Sequence, residues 1–360
     1  MRVLHWTESF WPRHGGAERI TRLLATDLVA RGHACLVVSD EAHGLPAVDE
    51  IDRVAVRRFP LQATLAQRAL PPMMAVSRRV IDMMRDWRPD IVHVHSSQPG
   101  AFFFLRTRRA VPAPVIYTTH DPHGGRGAPL QAQVIATATR VAAISQYMAK
   151  AVVADGIDRD RVRCVPNALP WPIDPPVPLP ERPVVLGLGR LTRDKGFDVL
   201  LRAFARVAED VPSCTLAIGG EGPARASLET LAASLGIDAR VTWTGWIDQA
   251  QTGACIDRAR LVVVPSRWQE PFGLVALEAM QRGRPVVASR VGGLPEIVAD
   301  DETGLLVAAD DDRALAGAMM RALDAEHAAR MGACARARAR QFDWSACVDT
   351  YEALYREVAS

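Results

Sequence analysis

Two carboxylates, Glu270 and Glu278, are separated by seven residues in the run Glu270-Pro271-Phe272-Gly273-Leu274-Val275-Ala276-Leu277-Glu278-Ala279. Pro271 and Gly273 sit poorly inside a helix, so Glu270 belongs to a loop. Beyond them Leu274 to Met280 reads as a helix, with Glu278 about one turn inside it. The helix start between the two acids supplies free backbone N–H groups and the positive end of a dipole. Such a set can hold a polyol phosphate, the carboxylates accepting hydroxyl protons while the amides take the anion. Taken alone, the pair also fits a capped surface helix with two solvated acids.

Other segments could join that chemistry. In Gly187-Leu188-Gly189-Arg190-Leu191-Thr192-Arg193-Asp194-Lys195-Gly196 a short turn separates Arg190 from Lys195, so both cations can converge on one diphosphate. Plain surface cations on a strand-to-helix loop are the alternative. A dinucleotide fingerprint fails, because Thr192 stands where a third glycine is needed. Gly15-Gly16-Ala17-Glu18 opens a helix, where two glycines let backbone amides approach an anion; a tight turn needs the same residues. His120 follows the apolar run Val115–Thr119, where an imidazole can donate to a hydroxyl or merely cap a loop. His93 and His95 alternate along one strand and are read as facing opposite sides of the sheet, which would keep them out of a common site. Asp310-Asp311-Asp312 precedes Arg313-Ala314-Leu315 and reads as a helix cap rather than a metal site.

In order and spacing these segments, together with Val165-Pro166-Asn167, Gly219-Gly220-Glu221-Gly222, Thr244-Gly245-Trp246 and Gly292-Gly293-Leu294-Pro295-Glu296, resemble glycosyltransferase family 4 over nearly the whole chain. These are retaining enzymes of the GT-B fold that use nucleotide-activated sugars. The resemblance implies that Glu278 holds the ribose hydroxyls and Glu270 those of the sugar. It implies that Arg190 and Lys195 stabilise charge on the leaving diphosphate, and that His120 lies beside the sugar near its reacting carbon. Gly15, Gly16 and Gly189 would meet the donor phosphates, Phe272, Gly273 and Leu274 complete the donor motif, and Thr244 and Gly245 lie near the nucleobase. Two cations then replace the metal of other transferases, so no metal or cofactor is expected. The absence of an obvious nucleophile suits a same-face displacement in which the leaving phosphate takes the acceptor's proton.

A UDP-sugar is the expected donor, being the commoner one in the family, with GDP-mannose left open. The expected acceptor is a saccharide or lipid-linked, in cell-surface glycan synthesis. The segment between Asp121 and Val141 is shorter than is usual in the family, so acceptor identity does not carry over; Ala168 replaces a family glycine, so a tighter or differently angled turn is expected there. A nucleotide-sugar epimerase of the same fold and a non-catalytic nucleotide-sugar-binding protein are the competing readings.

The elements that would position these residues alternate. Short apolar runs at Val3–Trp6, Ala34–Val38, Val54–Arg57, Ile91–His95, Val115–Thr119, Val141–Ile144 and Val162–Val165 are interleaved with helical patterns such as Gly16–Ala30 and Pro72–Trp87. After the proline-rich stretch Pro170–Pro180 the alternation restarts at Val184–Leu188, Thr215–Ile218, Val241–Trp243, Leu261–Val264 and Pro285–Ala288. Such alternation predicts α/β architecture with parallel sheets covered on both faces. Two Rossmann-like domains are expected, facing each other across a cleft, with ligands at the carboxyl ends of strands. Their expected bounds are 1–169, a linker at 170–182, 183–342, and a C-terminal helix at 343–360. The resemblance implies that this helix crosses back onto the first domain.

With 360 residues and 49% apolar content the chain can bury two cores. Residues 1–170 carry 22 basic against 15 acidic side chains, leaving 21 against 26 in the remainder. A basic front half suits an anionic partner, so peripheral contact with an anionic membrane through the N-terminal domain is left open. Nucleic acid is not expected, because no motif for it is present. Six scattered cysteines form no CxxC pair, the amino terminus turns polar at Thr7-Glu8-Ser9, and no apolar run reaches membrane-spanning length. A reduced, cytoplasmic protein is the expectation.

Overall fold

Strands sort into two sheets in the computed structural model, which describes residues 1–12, 15–42, 44–95, 100–121, 129–172 and 177–360. The first is built from β1 (Arg2–Trp6), β2 (Ala34–Asp40), β3 (Val48–Ile51), β4 (Val54–Phe59), β5 (Ile91–Val94), β6 (Val115–Thr119), β7 (Arg140–Ala143) and β8 (Val162–Cys164). Their spatial order is β3-β4-β2-β1-β5-β6-β7-β8. The second contains β9 (Val184–Leu188), β10 (Thr215–Gly219), β11 (Val241–Gly245), β12 (Leu261–Val264), β13 (Val286–Ser289) and β14 (Gly304–Val307), in the order β11-β10-β9-β12-β13-β14. Every ladder is parallel except the β3–β4 edge hairpin.

Central strands such as β5, β6, β12 and β13 are buried along their whole length, as parallel strands covered by helices on both faces must be. The covering helices are amphipathic. Phe197–Asp210 turns Phe197, Leu200, Leu201, Phe204, Val207 and Ala208 into the second core at three- and four-residue spacing. In each sheet the strand order reverses once, at β1/β5 and at β9/β12. Open α/β sheets bind ligands at the carboxyl ends of strands beside such a reversal.

The chain divides into two units, Met1–Asn167 with Ser345–Ser360, and Ala168–Trp344. The proline-rich stretch expected to be a linker is grouped with the second unit; its residues 173–176 lie outside the described residues. Leu169 is bridged to Asp343 and accepts a hydrogen bond from Gln281 Nε2 at 3.1 Å. Arg336 and Arg340 both stand over the Trp171 ring. The edge strands β3 and β14 were not anticipated. β3 is Val48-Asp49-Glu50-Ile51, half polar, and β14 is only four residues long.

The C-terminal helix Trp344–Ala359 packs in the first unit. Arg31 reaches Asp349 and Glu352, and His33 Nε2 lies 2.7 Å from Glu352 Oε1. Tyr351 and Tyr355 are buried, the Tyr355 hydroxyl 2.7 Å from His93 Nδ1. Removing that hydroxyl leaves a fully buried ring nitrogen without its partner. Tyr355→Phe is therefore expected to cost about 1–3 kcal/mol, read as a lower urea midpoint at unchanged slope. An unchanged midpoint would show that the contact does not hold the helix down.

Candidate active site

In the second unit, the loops after β9 and β12 are tied together by their backbones. Arg267 N and Trp268 N donate to Asp194 O at 2.8 and 3.1 Å. The single 3₁₀ turn Arg193–Lys195 ends at Gly196, whose φ is +70° and whose added Cβ would stand 2.0 Å from Pro265 O. Only glycine permits that approach. The loop after β13 joins them, with Gly293 N donating to Glu270 O at 2.7 Å and Gly292 N to Gln269 Oε1 at 2.9 Å.

This interlock places the Lys195 ammonium against the Glu270 carboxylate. Lys195 Nζ lies 2.6 Å from Glu270 Oε1, which also accepts from Ser266 Oγ at 2.6 Å. Both side chains are mostly covered, 19% and 12% exposed. The expected partners thus meet at the β9/β12 reversal. Ser266, which orients the carboxylate, was not singled out by the sequence, because a serine at the end of an apolar strand carries no distinguishing pattern.

The other donor residues expected in this unit each have contacts of their own. Gly189 directly follows β9 and its N–H donates to Gly219 O at 3.0 Å. Arg190 is exposed, its guanidinium without an ion-pair partner among the described residues. Gly273 precedes the helix Leu274–Gln281, as anticipated; Phe272 is buried edge-on to Phe342, Leu274 is half-buried at the first helical position, and Glu278 is half-buried one turn in. Thr244 and Gly245 close β11, with Thr244 Oγ1 donating to Ile218 O at 3.2 Å. Asp311 caps the helix Asp312–Leu323 by accepting from Ala314 N, the role expected of that acidic run.

In the first unit, Gly15 caps the helix Gly16–Ala30. The Glu18 carboxylate folds back against it and accepts from Ser9 Oγ at 2.5 Å.

His120 follows β6 and is half-buried. It ends a cluster that the sequence reading had excluded. The expectation that His93 and His95 face opposite sides is wrong, since residues two apart on a strand share a face. Their ring centroids lie 3.9 Å apart. His5 is in register with His93 on the neighbouring strand, and its Nδ1 lies 3.0 Å from His95 Nε2. His95 Nδ1 lies 3.5 Å from His120 Nε2. His93 hydrogen-bonds through its other contacts with Tyr355 and with Thr118 Oγ1, the latter at 2.7 Å. The period-2 rule, applied to His93 and His95, would have revealed the cluster.

Burial holds His5 down to about 3 and His120 down to about 4, and holds His93 and His95 well below the ordinary imidazole range, with neighbouring imidazoles adding to the shift for these two. The folded chain therefore binds fewer protons than the unfolded one below the ordinary histidine value near 6.5. Stability is fully present above that value and is lost as pH falls toward 4. Each histidine contributes a slope on the order of 1.4 kcal/mol per pH unit. Chemical unfolding at pH 7.5, 6.5, 5.5 and 5.0 should show this decline, and a flat profile would refute buried neutral imidazoles.

The chain is similar in sequence and fold to known proteins. The family described as "Glycosyl transferases group 1" matches residues 173–338, and "Glycosyltransferase Family 4" matches residues 14–170. The D-inositol 3-phosphate glycosyltransferase of Acidothermus cellulolyticus is 32% identical over 302 residues, covering 74% of this chain and 67% of that protein. The glycogen synthase of Mycobacterium tuberculosis is 28% identical over 389 residues, 95% of this chain and 91% of that protein. Among solved structures, sucrose-phosphate synthase from Thermosynechococcus elongatus superposes with a TM-score of 0.84 at 25% identity, covering 99% of this chain and 98% of that one. Two parallel-sheet units, each with one strand-order reversal, and sequence matches running from residue 14 to residue 338 make this chain a glycosyltransferase of family 4 with the GT-B fold.

Proposed function

We propose that the chain transfers a sugar from a nucleoside diphosphate sugar, with retention at the anomeric carbon and without a metal ion. The observation that carries this reading is the 2.6 Å Lys195–Glu270 contact at the β9/β12 reversal, with Arg190, two residues past the end of β9, exposed and without an ion-pair partner among the described residues. An ammonium and a guanidinium there suit a diphosphate, whose charge grows as the glycosidic bond breaks. Neutralising that charge in a partly desolvated place is worth several kcal/mol in the transition state. Glu270, oriented by Ser266, accepts from hydroxyls of the transferred sugar, and Glu278 on the following helix accepts from the ribose. Gly15, Gly16 and Gly189 bring backbone amides to the phosphates, Phe272, Gly273 and Leu274 shape the loop under them, and Thr244 and Gly245 border the base. His120 donates to a hydroxyl near the reacting carbon. UDP-sugars are the first donors to test and GDP-mannose the second.

The acceptor side is proposed from charge. Arg106, Arg108 and Arg109 line one recess of the first unit with Gln133 and Thr137. The cysteines are free. Among the described residues no helix is long and apolar enough to cross a membrane. A cytoplasmic enzyme that meets an anionic, lipid-linked saccharide at the membrane surface accounts for these features together. Sedimentation with anionic vesicles at low salt should exceed that with neutral vesicles and fall as salt rises; equal sedimentation would remove the membrane from the reading.

Donor choice is tested by thermal shift with UDP-, GDP- and dTDP-sugars, since a ligand at a hundredfold its Kd adds about 2.7 kcal/mol. With the donor so identified, Lys195→Ala should lower kcat by roughly 10²–10³ while moving Tm far less, and EDTA should leave the rate unchanged. Epimerised donor formed without acceptor, or binding insensitive to both Lys195→Ala and Glu270→Ala, would overturn the assignment.

A further inference from the structure

The first unit contains a chain of imidazoles that the donor chemistry does not by itself require. His5 lies on β1, beside β5, in register with His93. His95 is one residue past β5, yet its backbone N–H still donates to Trp6 O at 2.9 Å, which keeps its side chain on the face that carries His93 and His5. The His5 and His95 rings stack at 5.2 Å, and those of His95 and His120 at 5.7 Å. Their nitrogens face one another in series: His5 Nδ1 to His95 Nε2 at 3.0 Å, then His95 Nδ1 to His120 Nε2 at 3.5 Å.

A neutral imidazole has one N–H and one lone pair. All three rings are held neutral at pH 7 by burial, so each nitrogen–nitrogen contact needs a proton on one side and a lone pair on the other. One proton position therefore dictates the rest. The deciding ring is His5, fully buried, whose Nε2 has no hydrogen-bond partner among the described residues. A proton there would be an orphaned buried N–H, the rarest of unsatisfied groups. With the proton on Nδ1 instead, His5 donates to His95 Nε2. The His95 proton must then sit on Nδ1 and be donated to His120 Nε2, which leaves the His120 proton on Nδ1. His93 does not compete, because both of its nitrogens are engaged by Tyr355 and Thr118. The same engagement argues against a cation held by His5, His93 and His95, although their ligand atoms lie within 4.8 Å of one another.

We infer that His5 and His95 are positioning residues: a buried pair of imidazoles that fixes the His120 proton on Nδ1, so that the half-buried ring presents an N–H donor and cannot act as a base at that nitrogen. The ligand class this fits is an oxygen acceptor such as a sugar hydroxyl. The donor role of His120 rests on the function proposed above, whereas the proton position does not.

The test uses the full chain with ¹⁵N-labelled histidine and long-range ¹H–¹⁵N correlation at pH 7.5, the His120 signals being assigned by their loss in His120→Asn. The expected result is the Nδ1–H form of His120. The Nε2–H form, or an even mixture, would overturn the inference whether or not the chain transfers sugar. His95→Phe should release His120 into a mixture of forms and lower kcat by about tenfold with little change in donor KM. His95→Gln, whose amide oxygen can accept from His5 and whose NH₂ can donate to His120, should restore most of both. An unchanged His120 form in His95→Phe would likewise overturn the inference. If His95→Phe fails to fold, the wild-type spectrum and His95→Gln decide the question, because a Gln variant with the Nε2–H form contradicts the relay.

Discussion

The arrangement of charge in the second unit depends on backbone passing very close to backbone. At Gly196 an added Cβ would stand 2.0 Å from Pro265 O, and at Gly292 one would stand 2.1 Å from Glu270 O, both at positive φ. No other residue type fills either place without moving a loop. The loops following β9, β12 and β13 are thereby locked to one another before any side chain is considered. The Lys195–Glu270 contact follows from that lock, since both residues stand directly beside its points of contact. A long, flexible lysine would otherwise spend rotamer freedom to reach a fixed partner. Fixing the loops first reduces what must be ordered when a charged ligand arrives, which is the meaning of electrostatic preorganisation.

The first unit solves the same problem of placement with neutral groups. An isolated charge taken out of water costs several kcal/mol, so a cluster of imidazoles packed at the carboxyl ends of β1, β5 and β6 can persist only by giving up its protons. That choice ties the cluster to the C-terminal helix, because the tyrosines of Trp344–Ala359 supply hydroxyls that neutral His93 and Thr118 can use. The helix that ends the chain is therefore coupled to the interior of the unit formed by its beginning. By contrast Lys195 and Glu270 form an ion pair that stays partly in contact with solvent, each offsetting the other's desolvation.

Much of this was legible before any coordinates. The periodicity marked both sheets, and Gly16–Ala30, Val115–Thr119, Val184–Leu188 and Leu261–Val264 fall on the expected bounds. These elements are apolar and bounded by glycine or polar turns, so local preference and tertiary burial agree. β3 was missed because an edge strand need bury only part of itself; Asp49 and Glu50 are tolerated there and hide the pattern. β14 was missed because its run opens on Gly304 directly behind the polar turn at residues 300–303, so Leu305-Leu306-Val307 reads as the end of a loop. Lys195 and Glu270 could be singled out from motif order, yet not their contact, since the distance between them is set by loops whose path sequence patterns do not encode. The histidine cluster was lost to a misapplied period: positions two apart share a face, and with His93 and His95 on one side their neighbour on β1 follows from register.

One consequence joins the two units chemically without reference to their placement. The groups expected to greet phosphate in each are already met by a carboxylate of the chain. Glu270 lies against Lys195, and Glu18, anchored by Ser9, lies against Gly15 at the start of the helix Gly16–Ala30. An anion arriving at either place gains only the difference between its own interaction and that of the carboxylate it displaces or joins. Such a difference is small for an anion that merely carries charge. It is larger for one that also offers hydroxyls to the carboxylate, because Glu270 then keeps hydrogen-bond donors when Lys195 turns to the phosphate. Free phosphate has no hydroxyl to offer a second carboxylate, and a bare nucleotide has only its ribose hydroxyls, which are assigned to Glu278; a sugar attached to the diphosphate provides further hydroxyls for Glu270. On the function proposed above, Glu270 thus favours an anion joined to a polyol, which is the chemistry that the spacing of Glu270 and Glu278 first suggested.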